Sequence, residues 1–104
     1  MNIIIKPEEI KNYYSATGIG YKKDRKLNNK HLVDYLTDNF TKIELELCED
    51  SKDEIAYMKL HGECLSLREG YIVEYLINQL CNGGVRFENS IYDGYADVIE
   101  FEFE

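Results

Sequence analysis

The strictest constraint in this chain is an alternation. In Lys42-Ile43-Glu44-Leu45-Glu46-Leu47 a large aliphatic side chain follows every charged one. The pattern returns towards the end of the chain, where Ile99, Phe101 and Phe103 alternate with Glu100, Glu102 and Glu104. A period of two belongs to a β-strand with one buried face, because successive side chains point to opposite sides. Burying Ile43, Leu45 and Leu47 on one side of a sheet drives that sheet to pack against helices. Unpaired carboxylates are prohibitively costly to bury. The glutamates of both strands are therefore expected together on a face that meets water or a basic partner.

The remaining elements follow from local signals. Asn2–Lys6 is a β-branched run and reads as a strand. Pro7, Glu8 and Glu9 suit a helix N-terminus, and a short helix is expected over Pro7–Tyr14. Ser15–Gly20 is a loop, leading into the basic stretch Tyr21–Lys26. Asn28 or Asn29 can cap a second helix ending near Asn39, with Leu32, Val33, Leu36 and Phe40 as its buried stripe. Residues 42–60 read as a hairpin, with a turn at Glu49–Asp53 and a return strand over Glu54–Leu60. Ser66 and Glu69 match a capping box that opens a third helix, running to about Cys81 and stopped by Asn82-Gly83-Gly84. Its core stripe is Ile72, Val73, Leu76, Ile77 and Leu80, and Glu74, Asn78 and Gln79 form its polar face. Tyr71 and Tyr75 widen the apolar side, so this helix lies between the sheet and the second helix, or part of it forms an oligomer interface at those two tyrosines. Val85–Glu88 is a strand, Asn89–Gly94 a turn region and Ala96–Phe103 the final strand.

The order β-α-α-β-β-α-β-β predicts an α+β fold. Four or five mainly antiparallel strands should carry two or three helices on one face, and a ferredoxin-like split β-α-β arrangement is one way to connect them. At 104 residues there is room for one domain, 1–104. No apolar run exceeds four residues, far short of the roughly twenty a helical span needs, so no membrane span is expected. Three cysteines and no leader-like opening point to a reducing compartment, the cytoplasm.

The formal net charge of −8 argues against duplex DNA binding, which depends on Lys and Arg contacts to phosphate. The charge is uneven. Residues 1–30 hold seven Lys/Arg against three Asp/Glu, whereas residues 31–104 hold five against seventeen. Glu44, Glu46, Glu100, Glu102 and Glu104, extended by Asp50, Asp53 and Glu54 at the hairpin end, make one candidate binding surface. Its partner would be a basic protein site, of the kind that normally holds nucleic acid, because carboxylates steer and pair with Arg and Lys. The segment Thr17-Gly18-Ile19-Gly20-Tyr21-Lys22-Lys23, with Arg25 and Lys26, is an alternative. Its glycines and lysines could cradle a phosphate, and its tyrosine could stack on a nucleotide or on nucleic acid held by residues 21–30, with hydrolytic activity as an extension. Walker A and dinucleotide patterns are both missing there.

Metal and catalytic signatures are weaker. Cys48, His61, Cys64 and Cys81 are zinc-type residues, but only His61 and Cys64 are close in sequence, where zinc sites usually bring two close pairs. Cys64 or Cys81 with His31 or His61 would make a nucleophile pair only if the fold assembled them. No metal and no cofactor are expected. The sequence is thus read as a small acidic cytoplasmic binding protein without catalytic activity, an inhibitor or adaptor. By analogy of composition it compares with phage anti-defence and immunity proteins.

Overall fold

The computed structural model describes residues 1–15, 26–50, 54–80, 85–88 and 94–103. The elements are β1 (Asn2–Ile5), a 3₁₀ turn (Pro7–Asn12), β2 (Tyr14–Ser15), α1 (Lys26–Asn39), β3 (Lys42–Leu47), β4 (Glu54–Leu65), α2 (Leu67–Asn78), β5 (Val85–Glu88) and β6 (Ala96–Phe103). Five strands form an antiparallel sheet in the order β1-β3-β4-β6-β5, and the two-residue β2 adds in parallel to the start of β4. The fold is α+β. A split β-α-β connection would set β1 inside the sheet. Instead β1 takes the edge beside β3, so that arrangement does not form.

Inward side chains line up in rows across the strands. Ile3, Leu45, Met58, Phe101 and Phe87 make one such row, and Ile5, Ile43, Leu60 and Ile99 make the next. With Ile10 from the 3₁₀ turn, Leu32, Leu36 and Phe40 from α1 and its end, and Val73, Ile77 and Leu80 from α2 and its end, they form one buried cluster, against which Ile3 packs half-buried. This burial is the main force holding helices to sheet. The alternation in β3 and β6 places its apolar row in this cluster, as its period requires.

Several boundaries move for identifiable reasons. The first helix is a 3₁₀ turn that ends at Asn12, because Tyr13 adopts an extended backbone and delivers Tyr14 and Ser15 to β4. α1 begins at Lys26, so Asn28 and Asn29 lie inside the helix instead of capping it. Lys and Leu at its start favour helix enough to carry it past the asparagines. β4 extends five residues beyond Leu60, since His61 still pairs with Lys42 and Val98, and Leu65 with Ala96. α2 stops at Asn78, ahead of Cys81, and its capping box is present. The Glu69 carboxylate accepts hydrogen bonds from the Ser66 N–H at 2.7 Å and from the Ser66 hydroxyl. Burial opposes ionisation of Glu69, yet these bonds hold its carboxyl below the usual range.

The helix α2 is not sandwiched through its tyrosines. Tyr71 and Tyr75 are 56% and 64% exposed, with Tyr71 edge-on to Phe87 at 5.3 Å between ring centroids. Nor do Glu74 and Asn78 form a purely solvated face. The Asn78 amide accepts from the Val85 N–H at 2.8 Å and donates to the Val85 carbonyl at 3.1 Å, while Glu74 accepts from the Phe87 N–H at 2.7 Å. These two side chains stand in for a neighbouring strand and close the β5 edge of the sheet.

Candidate functional site

The face of the sheet turned away from the helices carries the candidate site. Its membership depends on a bulge. Glu46 pairs with Tyr57 while Leu47 pairs with Ile55, so Ala56 is an extra residue in β4. The bulge shifts the phase of the strand. Ile55, Met58 and Leu60 all become buried, and Tyr57, Lys59 and His61 turn outward.

The outer face is then a lattice of two complete rows. Asn2, Glu46, Tyr57, Glu102 and Arg86 form one, and Ile4, Glu44, Lys59, Glu100 and Glu88 form the other. Lys42 and His61 begin a third. Glu44, Glu46, Glu100 and Glu102 are brought together as the alternation requires. They are joined by three groups that sequence reading did not place there, Glu88, Lys59 and Arg86. Lys59 sits between the acidic strands, with its Nζ 3.9 Å from Glu44 Oε2 and 3.6 Å from Glu100 Oε1. Arg86 Nη2 lies 2.8 Å from Glu88 Oε1 and 2.5 Å from Glu102 Oε2, and this bond holds the Glu102 carboxyl below its ordinary range. Among the described residues, Glu46 has no ion-pair partner. Five carboxylates against Lys42, Lys59 and Arg86 leave the face at −2 with His61 neutral. The surface is acidic but internally paired, where alternation alone implied an unbroken acidic sheet.

Tyr57 occupies the middle of this face. Burial, then the neighbouring Glu100 carboxylate, pushes its ionisation well above the usual tyrosine range. Asn2, Glu44, Glu46, Tyr57, Lys59 and Glu100 line an open cleft of about 230 Å³. No protein-family profile, curated protein or solved structure matches the chain.

The other candidates fare differently. Glu54 begins β4 and Asp50 is exposed at the end of the hairpin, both away from the cleft. Asp53 and Glu104 lie outside the described residues. So do Thr17, Gly18, Gly20, Tyr21, Lys22, Lys23 and Arg25 of the basic segment, while Lys26 opens α1. Cys48 follows β3 at the hairpin end and Cys64 lies near the far end of β4, roughly 25 Å along the strand at ~3.3 Å per residue, so the two cannot share an ion. Cys81 is outside the described residues. Among the described residues no group of three or more His, Cys, Asp or Glu is placed to hold a metal, and no helix is long and apolar enough to cross a membrane.

His61 gives the face a pH dependence. Burial, then the Lys42 charge, lowers its pKa from the ordinary 6.5, against an opposing pull from Glu44 at 3.8 Å. Its Nε2 is buried and has no hydrogen-bond partner among the described residues. The unfolded chain takes up a proton near pH 6.5 that the folded chain takes up only at lower pH, so this contribution is complete above that value and falls as pH drops below it. Urea midpoints at about pH 7.5 and about pH 5.5 test this. His61→Gln is expected to lose less stability on acidification than the native chain.

Proposed function

We propose that this chain is a binding protein that docks the helix-free face of its sheet on a basic site of a partner protein, acting in the cytoplasm as an inhibitor or adaptor. The observation that carries this reading is the row-wise placement of Glu44, Glu46, Glu88, Glu100 and Glu102 around Tyr57 on the sheet face turned away from the helices. The chain's net charge of −8 supplies the long-range field that steers a cationic partner towards it. The internal ion pairs do not prevent docking. Exposed pairs of this kind contribute about 0–1 kcal/mol each, so an incoming guanidinium can take over a carboxylate from Lys59 or Arg86 at little cost. Tyr57 offers such a guanidinium an aromatic ring beside Glu46 in the same cleft. Small acidic proteins of phages and mobile elements that block basic host proteins are the functional type this suggests.

The test is a pair of opposed variants assayed against a basic protein that co-purifies stoichiometrically from the source cells. Glu46→Lys with Glu102→Lys should fold normally, since both residues are exposed. It should weaken binding by about 100-fold or more. Lys59→Gln makes the face more negative and should tighten binding. Undiminished binding by the doubly reversed variant rejects the reading.

A further inference from the structure

The two edges of the sheet are finished differently. On β5, Glu74 and Asn78 occupy the outward main-chain groups of Val85 and Phe87. On β1, nothing among the described residues does so. The Leu47 N–H donates to the Met1 carbonyl at 2.9 Å, and Asn2, Ile3, Ile4 and Ile5 face Glu46, Leu45, Glu44 and Ile43. In an antiparallel pair the hydrogen-bonding residues alternate. Met1, Ile3 and Ile5 therefore bond to β3, and the N–H and C=O groups of Asn2 and Ile4 point out of the sheet.

Edge strands are commonly blunted by a charge, a proline or a covering element. Asn2-Ile3-Ile4-Ile5 carries neither charge nor proline, no element among the described residues covers it, and Ile4 is 62% exposed. We infer that β1 pairs antiparallel with β1 of a second copy, making a symmetric dimer with one sheet of ten long strands. About a two-fold axis at Ile3, Asn2 of each copy meets Ile4 of the other. The two outward N–H and two outward C=O groups of each strand then find the same four groups opposite, in an isologous contact. Ile3 faces its own copy across the seam and continues the buried row Ile3–Leu45–Met58–Phe101–Phe87 into the second molecule.

Charge favours this occupant over a charged strand from another protein. β1 carries no ionised side chain that would select one. The acidic faces also tolerate the pairing. The nearest glutamates, on β3 of each copy, are separated by three strand spacings, roughly 14 Å. That exceeds the screening length of about 8 Å at physiological salt. Pairing over so short a strand buries little area, so the dimer is weak and concentration-dependent.

Light scattering from about 5 µM to about 500 µM should show the mass rising from 12.2 kDa towards the dimer. The amides of Asn2 and Ile4 should become slow to exchange over the same range. Ile4→Pro, which removes only an outward N–H, and Ile4→Lys, which adds a solvated charge at an exposed position, should each weaken the dimer by at least about tenfold. Ile4→Lys decides the matter if the proline variant does not fold. A monomer throughout overturns the inference. So does a dimer that ignores both Ile4 variants, or one lost on Tyr71→Ser with Tyr75→Ser, which would place the contact on α2.

Discussion

Phe101→Ala should lower the stability of this protein by about 3–5 kcal/mol, the largest loss expected from any single truncation in the sheet. Phe101 is fully buried in a row that crosses all five long strands, paired with Met58 on one side and Phe87 on the other. Its ring centroid is 5.3 Å from that of Phe87. Truncation removes both the transfer free energy and these contacts, and leaves a void that strands hydrogen-bonded on both sides cannot close. For a domain of this size the melting temperature should fall by about 4–8 °C per kcal/mol. A denaturant midpoint unchanged within error would mean that the row is not the centre of the core.

Gly70→Val should be nearly as damaging, at about 3 kcal/mol, for the opposite reason. Gly70 is buried on α2 against β5, and a Cβ built there would stand 2.3–2.6 Å from three atoms of the Phe87 ring. Glycine normally weakens a helix interior by roughly 1 kcal/mol relative to alanine. Here its missing side chain lets the helix approach the sheet closely enough for Glu74 and Asn78 to reach the β5 backbone. Gly70→Val is therefore expected to disturb the closed edge as well as the core. Removing the obstructing ring should relieve the clash, so Phe87→Leu should cost less in the Gly70→Val background than in the native chain. Unfolding free energies of the four proteins in that cycle measure the coupling. Additive losses would show that the contact is not the cause.

Much of this architecture was legible residue by residue. The strands Lys42–Leu47, Val85–Glu88 and Ala96–Phe103 have the boundaries their patterns imply, and the Ser66/Glu69 box opens α2. Each signal is local and resides in a few adjacent side chains. The candidate face was half legible for the same reason. Glu44, Glu46, Glu100 and Glu102 follow from alternation, but Lys59 and Arg86 do not. The clue to Lys59 was a break in the period. Ile55 and Met58 are three apart where Met58 and Leu60 are two apart, and only a bulge can bury all three. The roles of Glu74 and Asn78 carried no comparable clue, because a polar stripe on a helix reads the same whether it meets water or a strand edge.

The sequence alone settled the α+β class and the sidedness of β3 and β6, because burying a row of aliphatic and aromatic side chains leaves an alternating strand one choice of face. Tertiary structure decided the strand order, the closing of one sheet edge and the charge on the outer face. Those depend on the register between distant segments. Lys59 meets Glu44 and Glu100 only because one extra residue, Ala56, changes the phase of β4. Nothing in the composition of that strand fixes which of its sides will face the glutamates until its neighbours are in place.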